Sequence, residues 1–366
     1  MSDGGLQEAA EGEAPREYRI ASIAGDGIGL EVLPAGIAVL EAAAGTSFRV
    51  VWEHLDWGTD RYHRTGAMMP ADGVDQLRAY DAIYLGAIGD PSLPDHITLW
   101  GLLLPIRKAF DQYVNVRPVR LLPGVTGPLR AKGPTEIDFV CVRENTEGEY
   151  AGVGGRVHRG TQYEVALETA VFSRFNVERV MRYSFELART RRKHLTSVTK
   201  SNAQQFSMTM WDDVFDLVKQ DYPDVATSSL LVDAAAALMV RAPERFDVVV
   251  ASNLFADILT DLGGAIMGSL GLAPSANVDP DRRFPSMFEP VHGSAPDIAG
   301  QGIANPIGAI WAGAMMLEHL GQPAAAARIM AAVETVSADP ASATADLGGS
   351  ASTTRVTEAV IAQLST

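Results

Sequence analysis

Asp257 and Asp261 lie four residues apart in FDVVVASNLFADILTDLGG, residues 246–264, and paired carboxylates of this kind can chelate a hard divalent cation. The run 246–251 is short, valine-rich and ended by polar residues, which predicts a buried strand of a parallel sheet. Ser252 and Asn253 then suit a helix N-cap. From Leu254 the spacing turns helical, so both aspartates share one face with about 6 Å of axial rise between them. Gly263 and Gly264 are expected to stop the helix. Like charges at this spacing cost a helix only about 0.2–0.5 kcal/mol, so an exposed acidic face is the plain alternative. The strand-to-helix junction favours a Mg2+ or Mn2+ site, because ligands of open α/β sheets bind at such junctions.

Basic residues on other segments could complete such a site. Arg107 ends GLLLPIR, Arg117 precedes Pro118 in NVRP, and Arg143 directly follows the apolar run 137–142. A single surface arginine is ordinarily solvated or paired. Arg143 stands out: past the carboxyl end of a buried strand it points into the crevice that holds Asp257, and guanidinium forks match carboxylates. Lys200 has a similar place after the run 195–199. Near cations and a metal its charged form is disfavoured, which suits a base. The run 189–194, by contrast, ends a helix, where cations complement the dipole, and reads as structural.

The elements that must position these groups alternate. Residues 18–24, 81–85, 136–142, 195–199, 228–232 and 246–251 read as strands, and 30–44, 177–191, 203–219 and 234–241 as helices. The fold class is α/β. Residues 152–160, glycine-rich with Arg156 and His158, and alternating 163–167 read as a projecting hairpin, and 306–320 and 323–336 as two packed helices. A chain of 366 residues with 47% hydrophobic content favours two domains. A net charge of -15 disfavours nucleic acid and anionic membranes as partners. The lone Cys141 excludes an intrachain disulfide and a cysteine zinc cluster, and fits a reducing, cytoplasmic setting. No apolar run is long enough for a membrane span, and the acidic start, residues 1–16, is expected to be a disordered lead-in rather than a signal sequence.

Two glycine-containing stretches bear on nucleotide binding. GDGIG at 25–29 is followed by Leu30, so it does not spell the usual dinucleotide fingerprint. FEPVHGSAPDIAGQGIANP at 288–306 has small residues that permit close backbone approach, with His292, Asp297 and Asn305 as polar handles. On composition alone it is equally a structural loop.

Taken together, GDGIG, LLxxR, NVRP, VRENTEGEY, NLFADILTD, GLAPSAN and EPVHGSAPDIAGQGIANP resemble the metal-dependent β-decarboxylating dehydrogenases, over about residues 18–320. The segments DHITLWGLLLPIRKAFDQYVNVRPVRLLPG, RENTEGEYAGVGG and VTKSNAQQFSM most resemble the members acting on tartrate and D-malate. The resemblance implies an isopropylmalate/isocitrate dehydrogenase-like fold with a non-Rossmann nucleotide site. It also implies a discontinuous cofactor-binding domain, residues 17–112 and 270–366, and a central domain, 113–269, carrying the metal site, the arm and a homodimer interface.

The resemblance further implies roles. Asp257 and Asp261 match metal ligands, and Asp233 matches the ligand lent by a second subunit. Arg107, Arg117 and Arg143 match a substrate-carboxylate clamp; Tyr150 and Lys200 match the acid and the base, Lys200 being lent across the dimer. Glu289, His292, Gly293, Ser294, Ala295, Asp297, Ile298 and Asn305, with Asn202, fall at cofactor positions. Asp297-Ile298 replaces the Lys-Tyr of NADP-specific members, so NAD is the expected cofactor, since an anion there repels a 2'-phosphate. A monovalent cation such as K+ remains open. The implied reaction is metal-assisted oxidation of a 2-hydroxy diacid by hydride transfer, with β-decarboxylation of the keto product. Trp100 and Leu103 fall where the side group is recognised, and bulky Trp100 points to a four-carbon diacid, D-malate or tartrate. A 3-isopropylmalate dehydrogenase and a non-catalytic regulatory subunit are the alternatives, although the chain retains the full acid, base and metal set.

Overall fold

In the computed structural model, which describes residues 16–365, twelve strands form a ten-stranded mixed sheet and a separate two-stranded ribbon. The strands are β1 (Arg16–Gly25), β2 (Phe48–His54), β3 (Ala82–Ala87), β4 (Val114–Arg120), β5 (Asp138–Glu144), β6 (Gly148–Val157), β7 (Val165–Val171), β8 (His194–Thr199), β9 (Ala226–Leu231), β10 (Val248–Ala251), β11 (Pro274–Val278) and β12 (Ser286–Pro290). The sheet order is β2-β1-β3-β12-β11-β4-β5-β10-β8-β9, and β6 pairs with β7 alone. Strands from both ends of the described chain thus fill one half of the sheet, and strands from its middle fill the other. Around β11 and β4 the pairing is antiparallel, whereas the flanks pair in parallel. This is not the order of a doubly wound dinucleotide domain.

Burial explains which strands sit inside. Every residue of β3 and β10 is buried, as befits strands covered by helices on both faces. The edge strand β9, ATSSLL, has no buried residue. Helix Ile307–His319 is apolar nearly all round because it is packed between helices Gly29–Ala44 and Pro323–Ser337. Cys141 is buried in β5, and burial pushes its thiol up to about 12. The expected hairpin is present as the β6–β7 ribbon, with Val153, Val157, Tyr163, Val165 and Leu167 exposed. A two-stranded ribbon is at best marginal by itself in water.

Two expectations need correction, and a third lies outside the described residues. Gly263 and Gly264 do not stop their helix, which runs Asn253–Ile266. A Cβ on Gly263 would lie 2.6 Å from Val119, and one on Gly264 2.5 Å from Leu270, so these glycines let the helix lie close against β4 and the following loop. The proposed lead-in, residues 1–16, falls outside the described residues except for Arg16, which opens β1. The helix expected from 203 starts at Ser207, after a turn. The cations of 189–193 are engaged by Asp138, Asp224 and Asp247, as a structural run would be. Among the described residues no helix is long and apolar enough to cross a membrane.

Candidate active site

The centre of the site forms where β5 and β10 lie side by side, with Arg143 in register with Ala251. The helix Asn253–Ile266 leaves β10 within two residues, and its first turn brings Asp257 against the Arg143 guanidinium. Ser252 holds the N-cap position, but its hydroxyl makes no capping bond and is buried without a partner. Asn253 is turned instead toward Arg143, whose Nε and Nη2 donate to Asn253 Oδ1 at 3.0 and 2.7 Å. Tyr150, from β6, donates its hydroxyl to Asp257 Oδ2 at 3.0 Å. Burial pushes the Asp257 carboxyl up, but Arg143 and Arg117 overcome it and hold the group below its ordinary range. Asp261 goes the other way: burial and the neighbouring Asp257 charge raise its carboxyl. Burial and Asp257 also raise the Tyr150 phenol, keeping it a proton donor.

Arg117 and Arg107 are tied to this centre by a buried polar network. Arg117 donates to Asn115 Oδ1 and Thr260 Oγ1, both at 2.7 Å, and lies 3.4 Å from Asp257. Asn115 donates to Asn277 at 2.9 Å, Asn277 donates to Glu289 at 2.7 Å, and Arg107 donates to the same Glu289 oxygen at 2.8 Å. Arg107 and Arg117 face a small cavity of ≈ 130 Å³, with Leu103, Ser275 and His292 also on its wall. Glu289, expected among cofactor contacts, is here the buried counter-ion of Arg107. Trp100 does not line this cavity. It is exposed on the turn Leu99–Leu103, with Lys108 over its ring at 4.8 Å.

Lys200, Asn202 and Asp233 lie elsewhere. Lys200 follows β8, Asp233 follows the edge strand β9, and the two side chains meet at 2.5 Å. Lys200 holds the exposed Asp233 carboxyl below its ordinary range. Asn202 is exposed in the next turn. Among the described residues no group of three or more histidine, cysteine or acidic side chains is arranged to hold a metal. Asp257 and Asp261 are the neighbouring carboxylates that could hold one here, both Asp257 oxygens being engaged by Arg143 and Tyr150. Oxygen donors suit Mg2+ or Mn2+, and a divalent cation would offset the like-charge strain that raises Asp261.

The loop after β12 borders a larger cavity of ≈ 400 Å³, lined by Ile28, His292, Ala295, Ile298, Asn305 and Asp346 among others. The GDGIG turn docks on this loop: Ile28 N–H donates to Ser294 O at 2.8 Å, and a Cβ on Gly27 would lie 2.1 Å from the same oxygen. His292 Nδ1 pairs with Gly293 O at 2.9 Å, which leaves Nε2 buried without a partner, as a group awaiting a ligand would be. Burial lowers the His292 imidazolium, so the neutral ring prevails. Gly293 faces open space, and Asp297 is exposed next to Ile298, which lines the cavity. A small-residue loop with an orphaned polar atom beside a cavity fits a nucleotide. Asp346, which accepts from Asn305 at 3.1 Å and Ser269 at 2.5 Å, was not found from sequence. No local signal links it to a loop some forty residues earlier.

Residues 19–360 match the family described as isocitrate/isopropylmalate dehydrogenase. A probable tartrate dehydrogenase/decarboxylase of Agrobacterium vitis is 58% identical over 348 residues, covering 94% of this chain and 97% of that protein. A decarboxylating D-malate dehydrogenase of Escherichia coli K12 is 54% identical, covering 94% of this chain and 98% of the relative. Among solved structures, isocitrate dehydrogenase from Methylococcus capsulatus superposes with a TM-score of 0.87 at 37% identity, covering 95% of this chain and all of that one.

Proposed function

The chain belongs to the isocitrate/isopropylmalate dehydrogenase family, and on that premise we propose that it oxidatively decarboxylates a small 2-hydroxy diacid, D-malate or a tartrate, with NAD. The observation that carries the reading is the gathering of Arg117 and Arg143 about Asp257, on a helix that also bears Asp261, with Arg107 sharing a cavity wall with Arg117. Cations converging beside a divalent-metal donor set suit an anionic, chelating substrate. The relatives named for tartrate and D-malate support the substrate class.

Asp257 and Asp261, with Asp233 of the partner subunit, would hold Mg2+ or Mn2+. Bound there, such an ion would supply Lewis acidity to the oxygen on C2. The three arginines hold the carboxylates and so align C2 for hydride loss to NAD. Lys200 of the partner subunit takes the hydroxyl proton, leaving a 2-keto acid. Loss of the β-carboxyl as CO2 leaves an electron pair on C3, where Tyr150 returns a proton. Its raised phenol is protonated at neutral pH, as that step needs.

The cofactor sits in the cavity beside the post-β12 loop, in the half of the sheet built from both chain ends. The other half, with the β6–β7 ribbon, forms a homodimer. A panel of D-malate, the tartrates, 3-isopropylmalate and isocitrate, followed by NADH formation with and without Mn2+, tests the reading. Turnover of D-malate or a tartrate is expected, and turnover of isocitrate alone would contradict it.

A further inference from the structure

We infer that Asn253 is a positioning residue that fixes the direction of the Arg143 guanidinium and thereby sets affinity for the substrate carboxylate, an inference that rests on the reading of Arg143 as part of the clamp. Arg143 and Asn253 are both almost fully buried. The Nε–Nη2 edge of an arginine is a fork that ordinarily grips a carboxylate bidentately. Here a single amide oxygen fills that edge, at 3.0 and 2.7 Å. Nη1 faces Asp257, and the second N–H of Nη2 lies on the same free edge.

The amide has no freedom to flip, since its Nδ2 donates to Glu147 O at 3.0 Å and its oxygen must face the arginine donors. Glu147 precedes the β6 strand, which supplies Tyr150 three residues on. The root of the ribbon, the amide and the clamp are thus one relay. Charge explains why an amide serves here rather than a carboxylate. A neutral acceptor satisfies two buried N–H groups without adding a second negative charge beside Asp257, whereas an aspartate would oppose the substrate carboxylate.

The test combines crystal structures with steady-state kinetics. In Asn253→Ala the guanidinium should leave its present direction, and KM for D-malate or L-tartrate should rise at least tenfold while KM for NAD stays unchanged. In an Arg143→Lys background the same substitution should add less than twofold. Asn253→Asp retains the shape and the acceptor and so covers a failure of the alanine variant to fold. It should leave Arg143 in place and still raise the diacid KM tenfold. An unmoved Arg143 in Asn253→Ala, an equal rise in both KM values, or an unchanged diacid KM in Asn253→Asp would each overturn the inference. If the wild-type protein turns over no diacid, the functional reading fails instead, and the Arg143 direction in the alanine variant still decides the positioning role.

Discussion

The Arg143–Asp257 centre and the Lys200–Asp233 pair are both ion pairs, but they are built in opposite ways. Arg143 is nearly fully buried and Asp257 about one-third exposed, with Asn253, Tyr150, Thr260 and Arg117 completing a hydrogen-bonded cluster. Among the described residues Lys200 and Asp233 have only each other as side-chain partners, and at the outer edge of the sheet the Asp233 side chain is 65% exposed and the Lys200 side chain 28%. A buried charge is tolerable only when its partners are in place, whereas an exposed pair contributes little and is readily exchanged. A single chain thus gathers a buried arginine–aspartate cluster in one place and leaves the Asp233 carboxylate outward at the sheet edge. That is the layout expected if each chain completes its neighbour.

Substitution should separate the two regions most sharply. Lys200→Ala is expected to lower kcat by about 10²–10⁴-fold, as loss of a general base does, with unfolding free energy changed by no more than about 0.5 kcal/mol. Arg143→Ala is expected to cost comparable activity and also about 3 kcal/mol of stability, because it breaks a buried charged cluster. Urea titrations beside initial rates would show this, and equal stability losses would erase the contrast.

Metal removal should come next in size. Exhaustive chelation should lower turnover at least hundredfold and be reversed by Mn2+, whereas full activity after chelation would exclude the Asp257–Asp261 site. The same pair gives a stability prediction of opposite sign. Asp261 has its carboxyl raised by burial and by Asp257. Folding therefore disfavours its charge, and that cost is absent below the unfolded value near 3.9 and grows as pH rises through the raised value. At neutral pH and without metal, Asp261→Asn should stabilise the chain slightly, by about 0.5 kcal/mol or less because the Asp261 side chain is exposed and its charge screened, while abolishing Mn2+ binding. Thermal melts with and without Mn2+ read both effects, and a destabilised apo variant would contradict this account. The smallest expected effect lies at the cofactor rim. Exposed Asp297 should give NAD at least a tenfold advantage over NADP, about 1.4 kcal/mol, and equal kcat/KM values would refute it.

Much of this was legible in the sequence where one segment carried its own signal. The valine run of β10 and the four-residue spacing of Asp257 and Asp261 marked a strand, a helix and a shared face. β4, with VNVRPVR, was not assigned as a strand, because its asparagine, arginines and proline break the apolar pattern. They are tolerated by cross-strand partners that no local window contains. Asn115 meets Asn277 on β11 across 162 positions of sequence, and Arg117 meets Thr260 across 143. Gly263 and Gly264 misled for the same reason: a glycine that stops a helix and one that lets it approach Val119 look alike until the neighbour is known. Asn253 was noticed as a cap, and its service to Arg143 appeared only with β5 beside it.

Subunit mixing tests the shared site most directly. Lys200→Ala and Arg143→Ala homodimers should each be nearly inactive. In a mixed dimer one site receives both defects and the other neither. Random exchange of equal amounts makes half the dimers mixed, each with one intact site, so about a quarter of wild-type activity should return, given closed two-fold pairing. If exchange is demonstrated and activity stays at the level of the separate variants, each chain owns its site and the account is wrong.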